Sequence, residues 1–239
     1  MRKVFEIGGI VAAAVLIAFG IASIVMSTNG SSTVKNSLKQ EQITGTPDMS
    51  PSGIAAEVKA DKAAQTKLFA QLHAAGVKIT PSPIVTPSCT VAGQSIDTGS
   101  KARCFARYMR IHTFAASSGL TYSQMGRYIA ASGTPYNLTD GLGATNDPTK
   151  AAIDPTTKQP VNNGRRDLWV TYTALTTALN SSYMASQLAT FGLVVGIALL
   201  LSGVGFLILA IGGALESPKT AWSDLRKKET LEPTTPVNA

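Results

Sequence analysis

The sequence predicts an all-α membrane protein: two transmembrane helices, the second continuous with an external helix, plus a small helical extracytoplasmic domain with one disulfide. Three observations carry this expectation. Two long apolar blocks, residues 7–26 and 188–215, contain no charged residue. Lysines and arginines flank the blocks at their outer ends. The only two cysteines of the chain, Cys89 and Cys104, fall in the polar stretch between them.

Each block has the length of a membrane span. At about 1.5 Å rise per residue, residues 7–26 extend roughly 30 Å as a helix, the thickness of a hydrocarbon core. Residues 188–215 exceed that minimum and can tilt to fit. A charged residue at the centre of a span costs roughly 2.5–3.5 kcal/mol on insertion, so charge-free runs of this length are a membrane signature. A cleaved signal peptide is the alternative for the first block, since Arg2 and Lys3 supply a positive start. Its apolar run is longer than the usual h-region and no A-x-A-like site closes it, which favours an uncleaved anchor. For the second block the alternative is a buried core helix, opposed by its length and basic flank. Composition agrees, with 44% apolar but only 15% charged residues against about 25% in soluble domains.

Orientation follows from where cations sit. Arg2 and Lys3 precede the first span, and Lys219, Arg226, Lys227 and Lys228 follow the second. Positive charge is retained inside, so residues 1–6 and the tail 216–239 are expected in the cytoplasm and residues 27–187 outside it. The middle section is net basic too, but long loops translocate largely regardless of charge. Outside the cell, Cys89 and Cys104 are expected to form a disulfide. Closing a loop of about 15 residues contributes roughly 3 kcal/mol in the chain-entropy model. Two unpaired buried thiols are the alternative, and the spacing is far from the C-x-x-C of a redox pair.

Between the spans the pattern is helical in three places. Residues 27–49 read as a linker or as a frayed extension of the first helix past Asn29-Gly30. Ser50 and Pro51 then suit a helix start and Gly76 its end, with Ile54, Val58, Leu68, Phe69 and Leu72 on one stripe that Gln65 interrupts. Prolines at 81, 83 and 87 exclude a helix before Lys101, and Ser95-Ile96-Asp97 reads as an extended piece with no evident pairing partner. A second helix is predicted over 101–117, ending at Gly119, with a shorter continuation from Thr121 through Ala131. Its apolar face is Cys104, Tyr108, Ile111 and Ala115. Residues 133–164, rich in Pro, Gly, Asn and Asp, form a long loop of a kind that is often functional or mobile. From Asp167 the spacing of Leu168, Tyr172, Leu175, Leu179 and Tyr183 predicts a helix that continues into the second span, a rod of roughly 70 Å. After Leu215 a short amphipathic piece around Trp222 and Leu225 is expected, then a disordered tail.

Small residues mark both spans: Gly192 and Gly196 in G-x-x-x-G spacing, then Gly203 and Gly205, with Gly9 and Ala13 in the first. They permit close backbone approach, either to partner subunits or between the two spans of one chain. Arg103, Arg107 and Arg110 form a stripe on the second external helix, a possible anion-binding surface for lipid headgroups, an acidic partner or a phosphate-bearing polymer. The plainer reading is a solvated face paired with Asp97 or Asp167.

No enzyme class is legible. The chain lacks G-x-S-x-G, a Walker loop, G-x-G-x-x-G after a strand and H-E-x-x-H. His73 and His112 are the only histidines, and without further convergent ligands no metal site, catalytic residue or cofactor is assigned. His112 reads as a half-buried helix residue. Residues 139–147 offer oxygen ligands, though not at EF-hand positions. Nucleic acid is excluded as a partner by the expected topology.

Three stretches carry a resemblance: Gly45-Thr46-Pro47-Asp48-Met49-Ser50-Pro51, the run from Arg103 through His112, and the run from Trp169 through Asn180. Together with the following span they resemble uncharacterised actinobacterial membrane proteins with two spans and a large extracytoplasmic domain. The resemblance implies a bacterial cytoplasmic membrane location and transfers no activity or catalytic residue. The expected role is therefore non-enzymatic: an accessory or scaffolding subunit of the cell envelope or a membrane complex, touching the lipid bilayer and other membrane subunits or copies of itself. The alternative is an extracytoplasmic ligand- or lipid-binding sensor.

Overall fold

Helices dominate the computed structural model, which describes residues 2–137 and 143–212, with side chains from residue 6 onward. The predicted amphipathic piece and tail after Leu215 lie outside the described residues. The order is α1 (Arg2–Gln40), α2 (Ala55–Ala74), α3 (Gly99–Ala116), β1 (Tyr128–Ile129), β2 (Ala144–Thr145) and α4 (Gly164–Ile211). Two units divide the chain. One comprises Met1–Asn29 with Ala189–Ala239, the other Gly30–Leu188.

In the first unit α1 and α4 are long and apolar enough to cross a membrane. Their large side chains are not buried by protein: Phe19 is 66% exposed, Phe191 68% and Leu201 64%. An apolar surface this extensive belongs against lipid or a partner, not water. The face each helix turns to the other is made of small residues. A Cβ on Gly196 would stand 2.9 Å from the Gly20 carbonyl oxygen, and one on Gly203 would stand 3.0 Å from that of Ala13. Ala13 is fully buried there. The Ser23 hydroxyl donates to the Gly192 carbonyl at 2.8 Å, adding an interhelical hydrogen bond.

The second unit is built on one hydrophobic core to which α1, α2, α3 and α4 all contribute. Of the two readings of residues 27–49, the helix extension holds as far as Gln40: α1 runs unbroken through Gly30. Glycine inside a helix costs about 1 kcal/mol relative to alanine. Burial of Leu38 and the packing of Val34 against the core offset this.

α2 begins at Ala55, later than the sequence suggests, because Asp48 to Gly53 form turns in which the Ser50 hydroxyl accepts from Gly53 N–H at 3.0 Å. Its end matches expectation. Gly76 takes φ +81°, and Val77 N–H donates back to the Leu72 carbonyl. Gln65, which breaks the apolar stripe, is buried and donates to the carbonyls of Ser82 (3.0 Å) and Gly119 (2.8 Å).

α3 starts at Gly99, with the Thr98 hydroxyl capping Lys101 N–H. It buries Cys104, Tyr108 and Ile111 as expected, but Phe114 is buried in place of exposed Ala115. The predicted helical continuation from Thr121 is a correction: a single 3-10 turn, Tyr122–Gln124, leads instead into β1. Gln124 spends both ends of its amide locally, accepting from Thr121 N–H and donating to the Thr80 carbonyl. Ser95 and Ile96 also find the partner the sequence did not reveal. Ser95 bridges Thr44, and Ile96 N–H donates to Ile43 at 2.9 Å. The described parts of the predicted loop 133–164 are tied down by short antiparallel pairings: Ile129 with Ala144, Ala130 with Ala151, Ile153 with Pro160.

α4 is one helix of 48 residues, as its uninterrupted pattern predicts. Its buried face matches the expected one except at its first position. Trp169 is buried and Leu168 is 39% exposed, while Tyr172, Leu175 and Leu179 pack on the core.

Candidate functional site

α3 lies along α4 in the antiparallel sense. Gly99 abuts Ser182 and Tyr183, with no room for a Cβ, whereas Phe114 near the other end meets Trp169 edge-on at 5.4 Å. The Trp169 indole donates to the buried Ser117 hydroxyl at 3.1 Å, locking this end.

This packing turns the arginine stripe outward. Arg103 stacks over the Tyr183 ring at 4.5 Å. Arg110 lies 5.0 Å over Phe114 and 5.8 Å over Trp169, with a 3.4 Å contact to the Ser82 hydroxyl. Arg107 is exposed. Among the described residues no carboxylate pairs with any of the three. The anticipated partner Asp97 is taken by Lys101 at 2.9 Å, and that hydrogen bond holds the Asp97 carboxyl below its ordinary pKa.

Arg107 and Arg110 border a groove of about 510 Å³ between α3 and the segment from Pro83 to Ser88, floored by Ile111 and Phe114. The opposite wall is stiff. It carries Pro83 and Pro87 and ends in the Cys89–Cys104 disulfide, whose Cα atoms are 6.1 Å apart. The Tyr108 hydroxyl, buried enough to raise its pKa, donates to the Cys89 carbonyl. A groove with Arg107 and Arg110 on one side and exposed Pro83 and Val85 on the other is chemically suited to an anionic head on an apolar body. A smaller hollow of about 310 Å³ near Leu72, Leu120 and Met125 is less suited to a charged ligand, because its Lys150 and Asp147 pair with each other at 3.3 Å.

The glycines separate into two groups. Gly192, Gly196 and Gly203 face α1, and Gly9 and Ala13 are buried. Gly205 does not join them: nothing lies within 4 Å of a Cβ built there, so it points away from the pair. It sits only two residues from Gly203, about 200° round the helix.

One cluster escaped the sequence reading. His112 on α3 receives the Glu57 carboxylate of α2 at Nδ1 (2.9 Å) and the Asp48 carboxylate at Nε2 (3.2 Å). Asp61, one turn after Glu57, is held above its ordinary pKa by burial first and by Glu57 second. No local spacing announces this group, since Glu57 and His112 are 55 residues apart. Of the oxygen-rich stretch 139–147, residues 139–142 lie outside the described residues. Asn146 accepts from Arg127 N–H, 19 residues away, and Asp147 serves a local turn, accepting from Thr149.

Neither family models, nor curated proteins, nor solved structures give a match to this chain.

Proposed function

We propose that this chain is a two-span protein of a bacterial cytoplasmic membrane, with both termini cytoplasmic, and that it acts without catalysis as a binding protein for an anionic lipid. The observation that carries the reading is the groove beside Arg107 and Arg110, two guanidinium groups with no carboxylate partner among the described residues, facing the apolar Pro83 and Val85. Charge placement in the sequence supports the orientation. The competing role, an accessory subunit, would use surfaces other than Gly192, Gly196 and Gly203, which α1 occupies.

The test is native mass spectrometry of the full chain purified in mild detergent, titrated with phosphatidylglycerol or phosphatidylcholine. A hydrogen bond to a charged group contributes about 1.5–3 kcal/mol, so the Arg107→Ala, Arg110→Ala double variant should bind phosphatidylglycerol roughly a hundredfold more weakly or worse. Equal retention of both lipids, or binding unchanged in the double variant, contradicts the proposal. A protein subunit that co-purifies in stoichiometric amount would restore the accessory role.

A further inference from the structure

We propose that His112, Glu57 and Asp48 form a binding site for a divalent first-row metal ion, with zinc the best-matched probe, that clamps α2 to α3. One ligand atom from each residue lies within 4.8 Å of the others. The three come from separate places: the turns before α2, the first turn of α2, and the second half of α3. Imidazole nitrogen and carboxylate oxygen are both donors that zinc and manganese accept.

The geometry also sorts the roles. The two ring nitrogens of an imidazole diverge and cannot both bind one ion. One carboxylate must therefore share the ion with histidine while the other accepts the remaining ring N–H, the carboxylate–histidine–metal arrangement. Asp61 indicates which is which. Its Oδ2 is sealed from solvent and has no hydrogen-bond partner. The Glu57 contact at Nδ1 is the shorter of the two, 2.9 Å against 3.2 Å for Asp48 at Nε2, and Asp61 follows Glu57 one turn later on the same helix, so the ion is placed at Nδ1 with Glu57, and Asp48 orients the ring through Nε2–H. Two carboxylates touch one imidazole, and no lysine or arginine among the described residues pairs with Asp48, Glu57 or the nearby Asp61. A divalent cation relieves that imbalance. The side chains of His112, Glu57 and Asp48 remain 29%, 32% and 36% exposed, which leaves coordination positions for water and a path for entry.

The experiment uses the full chain in detergent, stripped with EDTA, dialysed, and titrated with zinc chloride at pH 7 by calorimetry, alongside thermal unfolding. The expected result is one equivalent bound in the micromolar range and a melting temperature that rises with zinc. Glu57→Gln and His112→Gln should each weaken binding at least a hundredfold. Asp48→Asn, which keeps an acceptor for Nε2–H, should weaken it about tenfold. A far-ultraviolet spectrum like that of the parent shows that each variant is folded. Absence of binding below millimolar zinc overturns the site, as does binding undiminished in the folded Glu57→Gln and His112→Gln variants. If both variants lower the melting temperature equally with and without zinc, the cluster is an ion pair only and the proposal fails. The readout is independent of lipid binding.

Discussion

At the residue scale, buried polar side chains such as Gln65 and Ser117 have specific partners, which makes them sensitive. Gln65 satisfies the carbonyls of Ser82 and Gly119 from inside the core. Gln65→Leu strands both acceptors and should cost about 1–3 kcal/mol, read as a lower denaturation midpoint. The sequence showed Gln65 only as a blemish in an apolar stripe, because its partners lie in loops that no periodicity describes. His112 was hidden in the same way, for pairing across 55 residues leaves no local trace. Charge sets the acid limit. Asp97, Asp147 and Asp154 have carboxyls held below their ordinary value, by hydrogen bonds from Lys101, from Thr149, and from the Thr156 and Thr157 backbone respectively. A depressed folded value means stability that is present above the unfolded pKa near 3.9 and is lost as pH falls through the folded one. Unfolding followed against pH should therefore show loss of stability below about pH 4, and Asp154→Asn should make that loss shallower.

At the element scale, the helices were readable and their ends less so. The 3.6-residue pattern located α2, α3 and α4, and the special residues Gly76 and Gly119 stopped α2 and α3 where a left-handed backbone was needed. Tertiary packing decided the rest. Leu38 drew α1 past Gly30, and Trp169 rather than Leu168 took the core position on α4. The glycine faces were visible as composition but not as direction, since neighbouring Gly203 and Gly205 point to different surroundings. That difference is testable. Gly203→Leu forces a side chain against Ala13 and Ile17 and should destabilise the helix pair by about 1–3 kcal/mol or more, seen as a lower melting temperature in detergent. Gly205→Leu should leave it unchanged. The disulfide belongs to this scale as well, since it fixes the wall of the groove onto α3. Reduction should cost roughly 3 kcal/mol for a loop of this length, measured as a shift in denaturation midpoint with and without reductant. Lipid affinity should fall with it.

At the scale of the whole molecule, two apolar helices with exposed side chains and a polar unit of residues 30–188 are joined in one chain. Hydropathy made that division legible, because excluding charge from a bilayer leaves a mark in composition that needs no partner to be recognised. The groove was only half legible: the arginine stripe stood out, but the proline-rich wall opposite it is brought there by the fold. Every role proposed depends on which side of the membrane residues 30–188 occupy. Among the described residues both cysteines are bonded to each other, so an introduced cysteine is a unique thiol. Labelling of intact cells with a membrane-impermeant maleimide should modify Ser132→Cys and spare Ser223→Cys, with both modified after lysis. Labelling of Ser223→Cys in intact cells while Ser132→Cys stays protected until lysis would contradict the account.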